Sequence, residues 1–385
     1  MSKTISVELK THLAQETTSI TTCILMKLAW RQIPVADITQ ANPAVVTTEY
    51  DHNLVTGQYI CFDGVEGMIE LNEDPHTTPW NFFQVNVTGD KEFELIGVNS
   101  TGYAAYTAGG AISELVSFTD NTSPIELDGI IYDPSTGFTK SAVSTDNTMA
   151  VDTIDLTGII GTIGGGMEIT QGDVIAGRFD MAEIRVFQVN YEDLTMERMW
   201  LKRGWIGQVT VQDLIYTAEV RGMAQMLQVQ TLELYSAGCR YDLGSSRCGF
   251  DLVNGTLQDS SPATITGAVT HIIDNKSFKD TNRLETEDDD FKYGMITWTT
   301  GLNSGLKKEV EGYTFISSTI DLVDAMPFSI QVGDEYIMNK GCDKSTEVTG
   351  CKKFYPDLKK FGGFPHLPGE DILLRVIIPK QSTTQ

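Results

Sequence analysis

Ile125-Glu-Leu-Asp-Gly-Ile-Ile-Tyr132 reads as a β-hairpin. Apolar runs flank an Asp-Gly pair, and a type I′ turn needs positive φ at both central residues, which these two residue types tolerate. The same texture extends outward in both directions. Upstream, Ile24, Met26, Leu28 and Trp30 alternate with Cys23, Leu25, Lys27 and Ala29, a strand with a strongly apolar face. Trp80-Asn-Phe-Phe-Gln-Val-Asn-Val87 predicts another strand. Downstream, Met181 to Asn190 and Arg203 to Val220 predict more, and strand texture returns from Ala263 to Asn339. Thr297-Trp-Thr-Thr-Gly-Leu-Asn-Ser-Gly305 reads as a strand end running into a turn-rich loop. Helical spacing is rare. Ile5, Leu9 and Leu13 predict a short N-terminal helix, and Met223, Met226 and Leu227 predict another within Arg221 to Gln230. Gln32 to Pro43, with two prolines and no period, reads as a connector, and Ser100 to Gly110 as a loop of small residues. The fold class is mainly β and multidomain, with few helices.

Composition narrows the function classes. The chain has 385 residues and 41% apolar content, enough for two or three domains at roughly 150 residues each. Its 28 basic and 52 acidic residues leave a net charge of −24. That argues against recognition of nucleic acid, which needs a positive surface to displace counterions, and against an anionic membrane surface. No apolar run approaches the roughly 18 residues of a membrane span. The N-terminus lacks the continuous apolar core of a secretion signal, so synthesis in the cytoplasm without signal-directed export is expected.

Six cysteines are too few for a disulfide scaffold. Four of them form two pairs of equal spacing. Cys239 and Cys248 lie in Ser236-Ala-Gly-Cys-Arg-Tyr-Asp-Leu-Gly-Ser-Ser-Arg-Cys-Gly-Phe250, and Cys342 and Cys351 lie in Gly341-Cys-Asp-Lys-Ser-Thr-Glu-Val-Thr-Gly-Cys-Lys-Lys-Phe354. The 93 residues between Cys248 and Cys342 suffice for a β module whose two ends meet. Four convergent thiolates suit an iron–sulfur cluster or a zinc ion. The spacing within each pair is long for a zinc knuckle, and a multinuclear cluster tolerates wider ligands. Arg240, Arg247, Lys344, Lys352 and Lys353 flank the pairs and are expected to favour thiolates. Unliganded structural cysteines, or two disulfides, remain open on spacing alone. Cys23 and Cys61 sit in apolar strand contexts and read as small buried hydrophobes.

Enzyme signatures are poor. None of the five histidines forms a metalloprotease or deaminase pattern. Gly161-Thr-Ile-Gly-Gly-Gly166 matches neither phosphate-binding glycine motif and reads as a turn. No G-x-S-x-G elbow occurs. Glu287-Asp-Asp-Asp290 lacks the alternating ligands of a calcium loop and reads as a solvated acidic loop. His366, Glu370 and Asp371 lie among prolines and glycines that favour a rigid turn.

The cysteine segments resemble those of the tail hub proteins of tailed phages, a family that includes gene transfer agent hubs. The cysteine arrangement is also similar to that of the minor tail protein L of lambda-like phages. The resemblance rests on Tyr235-x-x-x-Cys-Arg-x-x-Leu-Gly-x-x-x-Cys-Gly-x-Asp251, on Gly341-Cys-Asp-x7-Cys-Lys-x-Phe354, and on Phe361-Gly-Gly-Phe-Pro-His-x-Pro-Gly-x-Asp371. Ser117-Phe-Thr-Asp120, Ile125 to Phe138, Gly177 to Asn190 and Leu201 to Gly207 extend it over most of the chain. The chain departs from the pattern in a long segment before Phe118. There Asn53-Leu-Val-Thr-Gly57 and Gly67-Met-Ile-Glu-Leu-Asn72 resemble a small β domain of ubiquitin-activating enzymes. It departs again at Tyr355-Pro-Asp-Leu-Lys-Lys360, where many relatives carry asparagines.

The implied organisation is a discontinuous N-terminal hub β domain (1–40 and 115–235) and an inserted β module (41–114). A small β domain (256–340) follows between the halves of a cysteine region (236–255 and 341–375), and the chain ends in a flexible tail (376–385). The resemblance implies a non-enzymatic virion protein at the tail tip, typically a homotrimer, assembled in the host cytoplasm. It would connect the distal tail protein to the central fibre or receptor-binding proteins. It also implies a [4Fe–4S] cluster on Cys239, Cys248, Cys342 and Cys351, with zinc as the alternative metal. An iron–sulfur redox protein, or a disulfide- or zinc-stabilised β binding module, are the competing readings.

Overall fold

The computed structural model describes residues 6–15, 18–28, 30–31, 33–72, 81–134, 139–140, 153–159, 162–163, 167–168, 171–212, 215–222 and 235–366. The chain divides into two units. One comprises Met1–Val229 with Trp298–Leu306 and Met326–Asp334, and the other comprises Gln230–Thr297, Lys307–Ala325 and Glu335–Gln385.

In the first unit, α1 (Val7–Leu13) is capped by Ser6, whose Oγ accepts from the Leu9 N–H at 3.2 Å. Then come β1 (Ile20–Lys27), β2 (Ile33–Ile38), β3 (Ala44–Thr48), β4 (Tyr59–Glu66), β5 (Phe83–Val87), β6 (Glu92–Leu95) and β7 (Ala108–Thr119). They are followed by β8 (Ile125–Leu127), β9 (Ile130–Pro134), β10 (Thr139–Lys140), β11 (Thr153–Ile159), β12 (Thr162–Ile163), β13 (Met167–Glu168), α2 (Gln171–Ile175), β14 (Glu183–Asn190), β15 (Met199–Gln212) and β16 (Ile215–Arg221). The chain is mainly β, as its sequence predicts.

The strands β7, β2, β3, β6, β5 and β4 pair in that order, and β4 pairs back onto β7. This closes a six-stranded barrel and removes its open edges. Its interior holds Val46, Ile60, Phe62, Val85, Phe93, Leu95 and Ile112, all fully buried. The barrel takes in the segment set apart in the sequence as an insert (41–114) but also β2, which precedes it, and β7 runs through residue 115 without a break. Its first half pairs with β4, and Leu115 to Thr119 pair with Lys27 to Cys23 of β1. From β1 the sheet continues through β14, β15, β16 and β11, all antiparallel.

Both faces of β1 are buried. Ile24 and Met26 face one core with Phe118, Ile184 and Val186, while Cys23 and Leu25 face another with Tyr132, Phe187 and Val189. This explains the near-continuous apolar run from Cys23. Cys23 and Cys61 are completely buried, as expected, and burial pushes the Cys23 thiol up to about 12. The Asp128-Gly129 turn joins β8 to β9 with φ of 54° and 82°, as a type I′ turn requires.

Two expectations fail here. Gln32 to Pro43 is not all connector, because it contains β2. A register shift between Val35 and Asp37 puts Ile33, Val35 and Ile38 inward, which destroys the two-residue period. The small-residue loop ends earlier than Gly110, because β7 starts at Ala108. Gly110 sits at φ 96°, and a Cβ there would lie 2.8 Å from the Val65 side chain, so only glycine lets the strand bend close to β4. The predicted helix within Arg221 to Gln230 lies mostly outside the described residues, as do parts of the 161–166 glycine run and the tail 376–385.

The second unit carries β17 (Thr264–Ala268), β18 (His271–Ile272), β19 (Ser277–Lys279), β20 (Met295–Trp298), β21 (Lys307–Thr314), β22 (Thr319–Leu322), β23 (Glu335–Asn339) and α3 (Cys351–Phe354). Its strands pair in the order β17, β23, β20, β21, β22, β19, β18. Ring pairs Phe278–Tyr336 and Phe291–Tyr313 fill its core at centroid distances of 5.6 and 5.3 Å.

In the barrel, His52 is 1% exposed and stands edge-on to Phe93 at 5.2 Å. Its Nδ1 accepts from the Leu54 N–H at 3.0 Å, so it must stay unprotonated there. Burial lowers its pKa below the ordinary 6.5. The folded state therefore binds fewer protons than the unfolded chain, and this contribution is present above pH 6.5 and lost as pH falls through the lowered value. Comparing unfolding of wild type and His52→Gln across this range should show a flatter acid limb in the variant. Parallel profiles would refute this role.

Candidate metal centre

The two cysteine segments meet in the second unit. The Cys239 N–H donates to the Lys344 carbonyl at 2.8 Å, and the Tyr355 hydroxyl donates to the Cys248 carbonyl at 3.1 Å. Phe250, which follows the first pair, packs edge-on against Phe354, which follows the second, at 4.8 Å. Leu257 and Ala263 complete this small core, and Cys248 and Cys342 pack against it.

Local hydrogen bonds shape each loop. In the first, Ser245 Oγ accepts from the Cys248 N–H at 3.3 Å, and positive φ at Gly244 and Gly249 allows the tight path. Asp251 closes it by accepting from the Val253 and Asn254 N–H groups at 2.9 and 3.1 Å. In the second, Asp343 accepts from the Ser345 N–H at 2.8 Å and from Thr349 Oγ1 at 2.6 Å. Burial opposes ionisation of Asp343, but these bonds outweigh it and hold the carboxyl below its usual range. The Cys351 N–H donates to the Ser345 carbonyl at 2.9 Å as α3 begins.

A third segment crosses the centre. The Gly362 N–H points at Cys239 Sγ, 3.3 Å away, and the Phe364 N–H donates to the Ser236 carbonyl at 2.8 Å. A Cβ on Gly362 would lie 2.4 Å from the Tyr241 ring, and one on Gly363 would lie 2.5 Å from the Gly238 carbonyl. The Gly-Gly pair is therefore a steric requirement of the approach to the thiol.

Cys342 and Cys351 stand within electrostatic reach of Cys239 and Cys248. Burial pushes the Cys351 thiol up to about 11, and Cys342, Cys239 and Cys248 push it further in the same direction. Burial also raises Cys342, with contributions from Cys239 and Cys248. Like charges oppose joint ionisation, and a cationic core would offset that repulsion. All six cysteines are free thiols. Among the described residues, no three His, Cys, Asp or Glu side chains stand close enough to share a single ion.

Several of the flanking basic residues have partners of their own. Lys344 pairs with Asp242 at 2.7 Å, and Arg240 and Arg247 lie over the Tyr241 ring at 5.5 and 5.8 Å. The Cys342 and Cys351 shifts are upward because burial dominates. Lys353 turns to Asp290, donating to its backbone carbonyl at 3.0 Å and reaching its carboxylate at 3.4 Å, while Lys340 reaches the same carboxylate at 2.7 Å. The acidic run is accordingly structural in part. Asp290 ties the second cysteine loop to the β strands, Asp288 accepts from the Phe315 N–H at 2.8 Å, and Asp289 pairs with Lys292 at 3.3 Å. Sequence reasoning missed Asp290, Tyr355 and Gly362 as parts of the centre, and only the Gly-Gly pair carried a readable signal. His366 is exposed, and Glu370 and Asp371 lie outside the described residues.

Comparison with known proteins places this geometry. Residues 109–251 match the family model of the N-terminal attachment domain of baseplate hub proteins. Residues 289–371 match the family described as phage conserved hypothetical protein BR0599, and residues 41–115 match the FCCH domain of ubiquitin-activating enzyme E1. A chain from a structure titled as the virion of a native gene transfer agent (GTA) particle aligns with TM-score 0.59 and 28% identity, over 70% of this chain and 89% of that one. No curated protein matches. Among the described residues, no helix is long and apolar enough to cross a membrane. Fold and comparisons define a structural protein of a phage-type virion. These matches support a place for the chain in the phage tail and baseplate hub family.

Lys340 is only 4% exposed, so Asp290→Asn should leave a buried ammonium without its counter-charge. The expected cost is about 3 kcal/mol, read as a lowered denaturation midpoint. An unchanged midpoint would show that Ser261, 3.0 Å from Lys340 Nζ, suffices.

Proposed function

We propose that this protein is the tail hub itself, a trimer at the tail tip that connects the distal tail protein to the central fibre or receptor-binding proteins. Within it, Cys239, Cys248, Cys342 and Cys351 hold a [4Fe–4S] cluster whose role is structural. The observation that carries this reading is the convergence of two cysteine loops, 93 residues apart in sequence, joined by the Cys239–Lys344 and Tyr355–Cys248 hydrogen bonds. The spacing within each pair is long for a zinc knuckle, which supports a cluster over zinc.

The physical role follows from linkage. A cluster neutralises thiolates that burial and mutual repulsion otherwise disfavour, so its binding free energy becomes folding free energy of the loops. It would clasp the two ends of the β17–β23 module at one point. The Gly362 N–H donates toward Cys239 Sγ and would stabilise a ligating sulfur there.

The test is anaerobic purification followed by iron, sulfide and zinc analysis. About four irons and four sulfides per chain are expected. One zinc per chain and no iron would replace the cluster by a Cys₄ zinc site. Cys342→Ser should abolish loading and expose residues 236–366 to limited proteolysis, while the first unit stays resistant. Identical cleavage of variant and wild type would rule out the clasp. Mixing the protein with the distal tail protein should yield rings by negative-stain microscopy, and failure to associate would count against the tip position.

A further inference from the structure

We propose that the cleft between the β8–β9 turn and the β14–β15 loop of the first unit binds a neutral carbohydrate. The cleft holds about 680 Å³, inside the range of about 300–1,000 Å³ typical of small-ligand sites. Asp128 stands on one wall, Thr195 and Glu197 on the other, and Arg198, Leu194 and Trp200 between them.

The walls are built without any ligand. Asp128 is fixed by its place in the type I′ turn at φ 54°. In the opposite loop, buried Asn190 accepts from Ser19 Oγ at 2.6 Å and from the Glu192 N–H at 3.1 Å. Asp193 accepts from the Thr195 N–H and Oγ1 at 3.1 and 2.6 Å. Such preorganisation lowers the ordering cost of binding.

The chemistry of the lining selects the ligand class. The Arg198 guanidinium lies over the Phe187 and Trp200 rings, at 5.2 and 5.5 Å, and pairs with the Asp128 carboxylate. A planar fork of donors thus sits beside a planar pair of acceptors. Adjacent hydroxyls of a sugar, each able to donate and accept, match that edge. Trp200 and Leu194 offer apolar surface to the C–H face of a ring. Two carboxylates against one guanidinium leave a surplus negative charge, which disfavours anions and leaves an uncharged polyol as the fitting ligand. The cleft shares no residue with the cysteine centre, so the inference stands apart from the cluster.

Saturation-transfer NMR on the full chain tests it. The probes are methyl glycosides of glucose, galactose, mannose and N-acetylglucosamine, with N-acetylneuraminic acid and glucosamine as charged comparators. Transfer to at least one neutral glycoside is expected, with affinity falling at least about tenfold, or about 1.4 kcal/mol, in Asp128→Asn and in Arg198→Met. Asparagine retains the positive-φ tolerance of the turn, so Asp128→Asn should keep the fold, checked by its melting curve. No transfer to any neutral glycoside, transfer unchanged in both variants, or preference for a charged comparator would each overturn the proposal.

Discussion

A β-strand has two hydrogen-bonding edges, and the first unit depends on how β7 divides them along its length. Over Ala108 to Leu115 it pairs with β4 and closes the barrel, and over Leu115 to Thr119 it pairs with β1 inside the main sheet. Every buried N–H and C=O left unpaired would cost about 1–3 kcal/mol, so neither core can form with β7 elsewhere. The strand also contributes a buried polar anchor. Glu114, 5% exposed, accepts from Arg178 at 2.8 Å and from Gln58 at 3.0 Å, which ties the barrel to the turn after α2. The barrel is thus woven into its host through a continuous strand.

The cysteine centre rests on a different balance. Its thiols are held by backbone ties between loops, and burial alone would keep Cys351 protonated well into the alkaline range. The cations expected beside the thiols also choose partners. Lys344, Lys353 and the two arginines have partners of their own, namely Asp242, Asp290 and the Tyr241 ring. A cationic core bound there would offset the repulsion between thiolates, and its binding free energy would become folding free energy of the loops.

The legibility of each feature tracks its range. The Ile125–Tyr132 hairpin was readable because turn type is set by two adjacent residues. The N-terminal helix and the strands around Ile24, Phe83, Ile184 and Thr210 were readable because side-chain period follows directly from backbone geometry. β2 was not, because a bulge interrupts its period and Pro34 disguises it as linker. Gly109 and Gly110 read as loop because positive φ is a loop signal until a neighbouring strand requires it.

By itself, the sequence determined the mainly β class, the hairpin, the paired spacing of Cys239, Cys248, Cys342 and Cys351, and the family resemblance those motifs carry. These depend on local backbone preference and on residue order. Only the tertiary structure decided that the barrel closes through β7, that Gly362 reaches Cys239, and that Asp290 gathers Lys340 and Lys353. Each of these joins residues far apart in the chain, and such contacts are chosen by packing and by competition among partners, which no local pattern encodes.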